Sequence, residues 1–190
     1  MAILEQELTL EAFLKLPEEK PALEFHQGGV TQKVAPQIQH GRLQFKLGGV
    51  ISGFAEPRRL AMVFTEMRTI LGGSALVPDI SVYRWERVPF TEEGELARRF
   101  EEPPDIAIEV VSPDQRVTAL IEKCLFYVEH SVEIALLVDP DDRLILLFRP
   151  GGRVQALRGT EPIDLSAVLP GFELTAQDVF ALLRRPKSAS

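Results

Sequence analysis

The chain has one cysteine and no long apolar run, and these two absences exclude several classes of protein. Cys124 cannot form a disulfide within the chain, and it cannot build a zinc cluster of several thiolates. No stretch of about 18 consecutive apolar residues is present, so no membrane-spanning helix is predicted. The opening segment, MAILEQELTL, carries acids where a signal peptide requires apolar residues, which indicates a cytoplasmic protein.

Positive charge is also scarce. The chain has 21 Lys and Arg against 28 Asp and Glu, a net charge of −7, whereas tight non-specific DNA binding depends on neutralising phosphates. A cleft can still be locally basic on an acidic protein, so DNA recognition is not excluded. The length of 190 residues suits one hydrophobic core. We therefore predict a single domain over residues 1–184 and a frayed tail at 185–190.

Apolar and turn-forming segments alternate in an order that predicts an α/β fold with a mixed sheet and a crossover helix. Gln27-Gly28-Gly29 indicate a hairpin turn, and the nearly continuous apolar run from Asp105 to Val111 indicates a central strand covered on both faces. Ser112-Pro113-Asp114 then indicate a helix start. We predict helices at 8–16, 38–50, 112–130 and 176–183, and strands at 22–25, 30–34, 60–70, 75–83, 105–111, 134–138, 143–149 and 154–157.

The most informative residue is Glu109, an acid within the apolar run at 106–111. A bare carboxylate in a covered strand costs several kcal/mol, so it must be paired, protonated or bound to a metal ion. A buried salt bridge, or a strand-end acid near solvent, is the alternative to a functional site.

Two more acids stand among apolar residues, Asp79 and Glu66. Asp79 follows Pro78, and a proline marks the edge, the start or a bulge of a strand because it lacks an N–H. Bulges often redirect a side chain next to an active site, and the alternative is a turn residue at the strand start. Glu66 could reach the same cleft or lie on a solvated strand face.

The helix predicted after Glu109 carries Lys123 four residues before Tyr127, so these two side chains share a face. A lone helical lysine is usually solvated, but this line borders the apolar face. With Asp79 and Glu109 on neighbouring strands, it indicates a site for Mg²⁺ (or Mn²⁺), a hard cation that takes oxygen ligands. In this hypothesis the metal lowers the pKa of a water molecule, and Lys123 orients or activates that water.

The most specific motifs of the chain are Pro78-Asp79, Glu109-Val110-Val111-Ser112-Pro113 and Asp139-Pro140. Weaker motifs accompany them: Leu23-Glu24 with Gly28, Ala35-Pro36 with His40, Pro103-Pro104-Asp105, and Lys123 with Tyr127. Together they resemble the PD-(D/E)XK nuclease superfamily, and specifically a large bacterial family of restriction-endonuclease-like proteins within it.

The resemblance implies a restriction-endonuclease-like fold, in which a mixed sheet with flanking helices holds Mg²⁺ on Asp79 and Glu109. In the superfamily a lysine stands two positions after the second acid. Val111 occupies that position here, and the resemblance places the lysine at Lys123 on the following helix.

The resemblance also implies that Glu24, from the first hairpin, completes the acidic catalytic site. It makes His40 a candidate to contact a phosphate or serve as an acid, although a lone histidine is more often structural. Tyr127 and Glu66 are the other candidates for substrate binding.

These patterns favour a Mg²⁺-dependent DNA endonuclease that hydrolyses phosphodiester bonds. A catalytically inactive nuclease-like module that binds nucleic acid or another partner is an alternative, favoured by Val111 and by the acidic balance. A hydrolase of nucleotides or other small molecules is a third. The segment 144–148 has more apolar residues than one half-buried face needs, so we also expect a homodimer through an exposed edge or face.

Overall fold

In the computed structural model, which describes residues 8–113 and 115–185, two β-sheets are flanked by helices. Asp114 of the predicted helix start lies outside these ranges, as do residues 1–7 and all but the first residue of the predicted tail. The helices are α1 Leu10–Phe13, α2 Ile38–Ala55, α3 Val117–Glu129 and α4 Ala176–Ala181. The strands are β1 Leu23–His26, β2 Gly29–Gln32, β3 Ala61–Thr65, β4 Thr69–Leu71, β5 Ser74–Leu76, β6 Ile80–Arg84, β7 Ile106–Val110, β8 Ile134–Asp139, β9 Leu144–Arg149 and β10 Arg153–Leu157.

The larger sheet has the strand order β10-β9-β8-β7-β6-β3. Its β7 and β8 are parallel and are joined by α3, whereas the other neighbouring strands pair antiparallel. Helices α2 and α4 cover one face, where Ile106, Ile108 and Val110 of β7 are buried. Helix α3 covers the other face, toward which Ala107 points. Because side chains alternate along a strand, Glu109 also points toward α3. The predicted mixed sheet with flanking helices is confirmed.

The smaller sheet, β2-β1-β5-β4, changes two predictions. The predicted strand at 75–83 is in fact two strands in two sheets, β5 and β6, joined by Val77-Pro78-Asp79. Pro78 has no N–H to donate to a ladder, so the pairing stops there. The predicted strand at 60–70 likewise breaks at Glu66, whose φ is +53°. Asp79 therefore lies at a junction between the sheets and not within a strand.

Local interactions determine where several helices and turns begin or end. The hairpin turn is confirmed, with Gln27 and Gly28 at φ angles of 49° and 79°. Thr175 and Asp178 form a capping box at the start of α4. Helix α3 begins at Val117, later than predicted, because Ser112 instead closes a turn with Gln115 through two hydrogen bonds.

The apolar segment 144–148 lies in β9, between β8 and β10, and is not at an edge. Ile145 and Leu147 pack on one face of the sheet, whereas Phe148 packs on the other. Burial within the chain thus accounts for its apolar residues, so this argument for a homodimer was wrong and the homodimer itself stays a prediction. None of the helices in the described residues has the length and apolarity needed to span a membrane.

Candidate active site

Asp79, which directly precedes β6, lies opposite Glu109 of the neighbouring strand β7. The antiparallel pairing of β6 with β7 matches Ile80 with Ile108, and extending this register by one residue places the two acids side by side. The backbone N–H of Val110 donates to Asp79 Oδ2 at 2.7 Å. Both carboxylate side chains are only 2% exposed. The structure therefore brings together the two acids that the sequence analysis selected.

Lys123 joins Glu109 to Glu24. Its Nζ lies 2.9 Å from Glu109 Oε1 and 2.7 Å from Glu24 Oε1, and the Tyr127 hydroxyl donates to Glu109 Oε1 at 2.8 Å. Glu24 Oε1 also accepts the N–H of Val77 at 2.7 Å, which ties the hairpin to the segment before Asp79. These four predicted residues form one cluster.

The ionisation of this cluster follows from its burial. Burial, which Lys123 only partly offsets, raises the pKa of Glu109 above its usual value. Burial also opposes the charge on Lys123, but Glu109 and Glu24 outweigh it and raise the pKa of that lysine. Lys123 is therefore a firmly protonated ammonium group.

A second lysine, Lys33, binds Asp79, and the sequence analysis had given it no role. Its Nζ donates to Asp79 Oδ1 at 2.6 Å, to both Glu66 carboxylate oxygens at 3.1 and 3.2 Å, and to the Val77 carbonyl at 2.9 Å. Burial opposes its charge, but Asp79 and Glu109 raise the pKa of Lys33. Lys33 directly follows the exposed strand β2, where no apolar pattern indicates the direction of a side chain.

His40 and Gln44 approach Asp79 from the first turns of α2. His40 Nε2 lies 3.4 Å from Asp79 Oδ1, and its Nδ1 lies 2.9 Å from Ser112 Oγ. Gln44 donates to the Asp79 carbonyl at 3.0 Å and to Glu66 at 2.9 Å. Burial alone would raise the pKa of Asp79, but His40 and Lys33 outweigh it and hold that pKa well below its usual range. Asp79 is thus ionised.

A cleft of about 1060 Å³ opens onto Asp79. Lys33, His40 and Glu66 line it together with Asp79, whereas Glu109 and the Lys123 cluster are not among its described lining residues and lie behind it. Three arginines also line this cleft: Arg68, Arg98 and Arg99. A molecule that enters the cleft would therefore meet Asp79 and Lys33 before it meets Glu109 or Lys123.

Asp79 and Glu109 provide oxygen ligands of the kind that a divalent ion such as Mg²⁺ takes. In residues 8–113 and 115–185, no group of three or more His, Cys, Asp or Glu side chains converges to hold a metal by itself. Mg²⁺, however, usually keeps several waters and binds through one or two carboxylates and substrate phosphates. Asp79 and Glu109 supply two such carboxylates opposite each other, and each already attracts a cationic lysine. The chemistry of these residues therefore fits Mg²⁺.

Residues 10–177 match the model of the Uma2 family, whose description is "Putative restriction endonuclease". The chain belongs to the Uma2 family. A crystal structure of "a putative nuclease belonging to DUF820" from Anabaena variabilis ATCC 29413 is 35% identical, with a TM-score of 0.88 over 93% of this chain and 99% of that chain. The matched range contains every residue of the Uma2 site from Glu24 to Tyr127.

Two further comparisons add little to the Uma2 assignment. A cryo-EM structure of a DrdV–DNA complex is 16% identical over 75% of this chain and 12% of that chain, with a TM-score of 0.41, which is too low to support an argument. No curated protein matches the chain. The family match and the Anabaena structure are sufficient to establish the restriction-endonuclease-like fold.

Proposed function

We propose that this Uma2 protein is a Mg²⁺-dependent DNA endonuclease that hydrolyses phosphodiester bonds. The observation that carries the proposal is the placement of Asp79, directly before β6 and in the cleft wall, opposite Glu109 of β7. Two neighbouring buried acids are costly unless they are paired or bind a metal ion, and in this structure each is paired with a lysine. The description of the family as a restriction endonuclease supports the same reaction.

Each residue has a role that its contacts support. Asp79 and Glu109 would hold Mg²⁺ or Mn²⁺, which when bound supplies Lewis acidity and lowers the pKa of water. Lys123 and Tyr127 orient Glu109 through its Oε1, and the same lysine holds Glu24 in place. In the geometry described here Lys123 is therefore a positioning residue, although the sequence analysis proposed that it acts on the attacking water.

The cleft wall offers a way for an acidic protein to bind DNA. Arg98 and Arg99 are exposed and line the cleft with Arg68, whose guanidinium lies over the Phe13 ring. Glu18, Glu19 and Glu101 line the same cleft, so these arginines would pair with individual phosphates and do not make the cleft basic as a whole. We assign these arginines to the substrate backbone and His40 to the positioning of Asp79.

Metal-dependent cleavage of plasmid DNA by the full chain tests the proposal. We expect nicking or cutting with Mg²⁺ or Mn²⁺, none after chelation, and a loss of more than about a hundredfold in Asp79→Asn, because even residues behind a metal ligand contribute 10- to 100-fold. Asp164→Asn is the matched control, since it removes an exposed carboxylate that pairs with Arg149 away from the cleft. Absence of cleavage across varied DNA and RNA substrates with either metal would contradict the proposal.

A second candidate is a nuclease-like module that binds without cutting. Lysine partners on both acids favour it, as does Val111 at the superfamily's lysine position. This candidate predicts that the protein does not cleave DNA. It also predicts that the affinity for DNA changes neither when divalent ions are added nor in Asp79→Asn. Hydrolysis of nucleotides but not of DNA or RNA would instead favour a small-molecule hydrolase.

We also propose a homodimer and a cytoplasmic location. Cleavage of both strands of a duplex calls for two active sites, which a symmetric dimer supplies. Analytical ultracentrifugation at several concentrations tests the dimer, and a monomer mass at all of them would exclude it. Fractionation of cells tests the location.

A further inference from the structure

Lys33 and Asp79 lie together in the wall of the cleft. The side chain of Lys33 is only 7% exposed, and its ammonium group is shared among Asp79, Glu66 and the Val77 carbonyl. Both oxygens of Asp79 are engaged, since Val110 N–H donates to Oδ2 and Lys33 donates to Oδ1. Each carboxylate oxygen keeps a second lone pair, so Lys33 competes with a divalent ion at Asp79 through its charge and not by filling every acceptor site.

A lysine ammonium and a divalent ion compete for Asp79 Oδ1. Two cations at such a separation repel strongly where the surroundings are buried and the effective dielectric is low. The Lys33 ammonium stands 2.6 Å from that oxygen. Lys33 therefore weakens the binding of a divalent ion by Asp79 for as long as its ammonium stays at this oxygen.

The surroundings of Lys33 show where it can go. A lysine carries its charge on a flexible four-carbon stem, so the ammonium can exchange partners without a movement of the backbone. Glu66, its second partner, is 43% exposed and also lines the cleft. The open side of the site is the one that a substrate phosphate would enter.

We propose that Lys33 is an exchangeable cation of this site, which neutralises Asp79 while no divalent ion is bound and pairs with the substrate phosphate once it is displaced. This inference rests on the proposed function. It makes Lys33, and not Lys123, the lysine that contacts DNA, because Lys123 is held behind the cleft by Glu24 and Glu109.

Two binding measurements on Lys33→Gln test the inference without any need for turnover. Calorimetry with Mn²⁺ alone should give an affinity about tenfold tighter than that of the parent chain, since the internal competitor is gone. Affinity for a short DNA duplex at saturating Ca²⁺, a second cation that takes oxygen ligands, should fall about fivefold, because a phosphate partner is lost. A lysine that only supported the fold would not shift the two affinities in opposite directions.

Three further variants show whether the changes in affinity arise from the charge of Lys33. Lys46→Gln removes the same charge from the neighbouring surface of α2, outside the cleft lining, and should change neither affinity. Lys33→Arg retains a cation at Asp79 and should keep Mn²⁺ affinity close to that of the parent. Lys33→Met serves as a second neutral variant if thermal unfolding shows that Lys33→Gln does not fold.

The outcomes separate this inference from the proposed function. If Asp79→Asn abolishes Mn²⁺ binding while neutral Lys33 variants bind Mn²⁺ no more tightly than the parent, the inference is wrong and the metal site stands. If the neutral variants weaken both Mn²⁺ and DNA binding, Lys33 is structural and the inference is again wrong. If Asp79→Asn leaves Mn²⁺ binding unchanged, the proposed metal site fails and this inference fails with it.

Discussion

The two ends of β7 each hold a buried acid, yet they are neutralised in different ways. Asp105, directly before the strand, accepts the N–H of Arg84 at 2.8 Å and pairs with the guanidinium groups of Arg84 and Arg87. Glu109, near the other end, is bound by Lys123 and by Tyr127. Asp105 does not line the cleft, whereas Asp79, the neighbour of Glu109, does.

The type of cation differs between the structural ion pairs of Asp105 and the candidate active site. Arg84 reaches Asp105, Glu133 and the Ala167 carbonyl through the separate nitrogens of a rigid fork, whereas a lysine makes all its contacts from one nitrogen on a flexible stem. At the Glu109 end each acid is paired with a lysine, whose single ammonium group can exchange one partner for another. A buried acid in a central strand is therefore not in itself a sign of function, because its partners and its access to a cleft decide its role.

The largest effect on stability is expected at the arginine end. Asp105→Ala removes the common partner of two arginines and of a backbone N–H, so the free energy of unfolding should fall by about 3 kcal/mol. Urea unfolding measures it, and Mn²⁺ affinity should remain unchanged. A loss below about 1 kcal/mol would mean that partial exposure of the arginines already supplies most of their solvation.

Binding of a divalent ion should stabilise the folded chain through the Glu109 end of β7, next to Asp79, and not through the Asp105 end. At about 100 times its dissociation constant, Mn²⁺ should raise the free energy of unfolding by about 2.7 kcal/mol, because it binds only the folded chain. Asp79→Asn should remove this increment, and Asp105→Ala should retain it on a lowered baseline. Equal stabilisation of both variants would show that the ion binds elsewhere.

Arg84→Lys should have a smaller effect, about 1.5 kcal/mol, since a lysine presents its donors from one nitrogen and loses the forked geometry that binds Asp105 and Glu133 from separate nitrogens. Urea unfolding of this variant beside Arg153→Lys, an exposed arginine on β10, measures the difference. An unchanged stability would remove the distinction between arginine and lysine on which the comparison rests.

The smallest effect is expected for Tyr127→Phe. This change removes one hydrogen bond to Glu109 while Lys123 remains, so the free energy of unfolding should fall by about 1 kcal/mol. Chemical unfolding checks the value. A loss as large as that of Asp105→Ala would show that Tyr127, and not the lysine, neutralises Glu109.

Residues of the site could be predicted where a charge contradicts its apolar surroundings. Asp79 and Glu109 stand out for that reason, and helical spacing then placed Lys123 and Tyr127 on one face. Lys33 gave no such contradiction, because it follows an exposed strand and its direction depends on tertiary contacts with Asp79. The grouping of these residues is observed, while their catalytic roles remain proposals.

The parts of the fold that depend on local sequence patterns could be predicted. Apolar runs located β7 and β8, and the glycine turn located the first hairpin. The division into two sheets was not predictable, because Pro78 signals an interruption without indicating which partner each flanking strand takes. The role of Asp105 was missed because an acid at the start of a strand resembles any solvated turn residue.

The connectivity of β7 has a consequence for the protein while it is being synthesised. Glu109 stands between β6, which precedes it, and β8, whose last residue is Asp139. A nascent chain on the ribosome lacks β8 until that segment has emerged, and the lysine that orients Glu109 arrives only shortly before. The growing polypeptide therefore has no assembled centre until the residues up to Asp139 have emerged, because Glu109 gains its lysine and its second neighbouring strand only then.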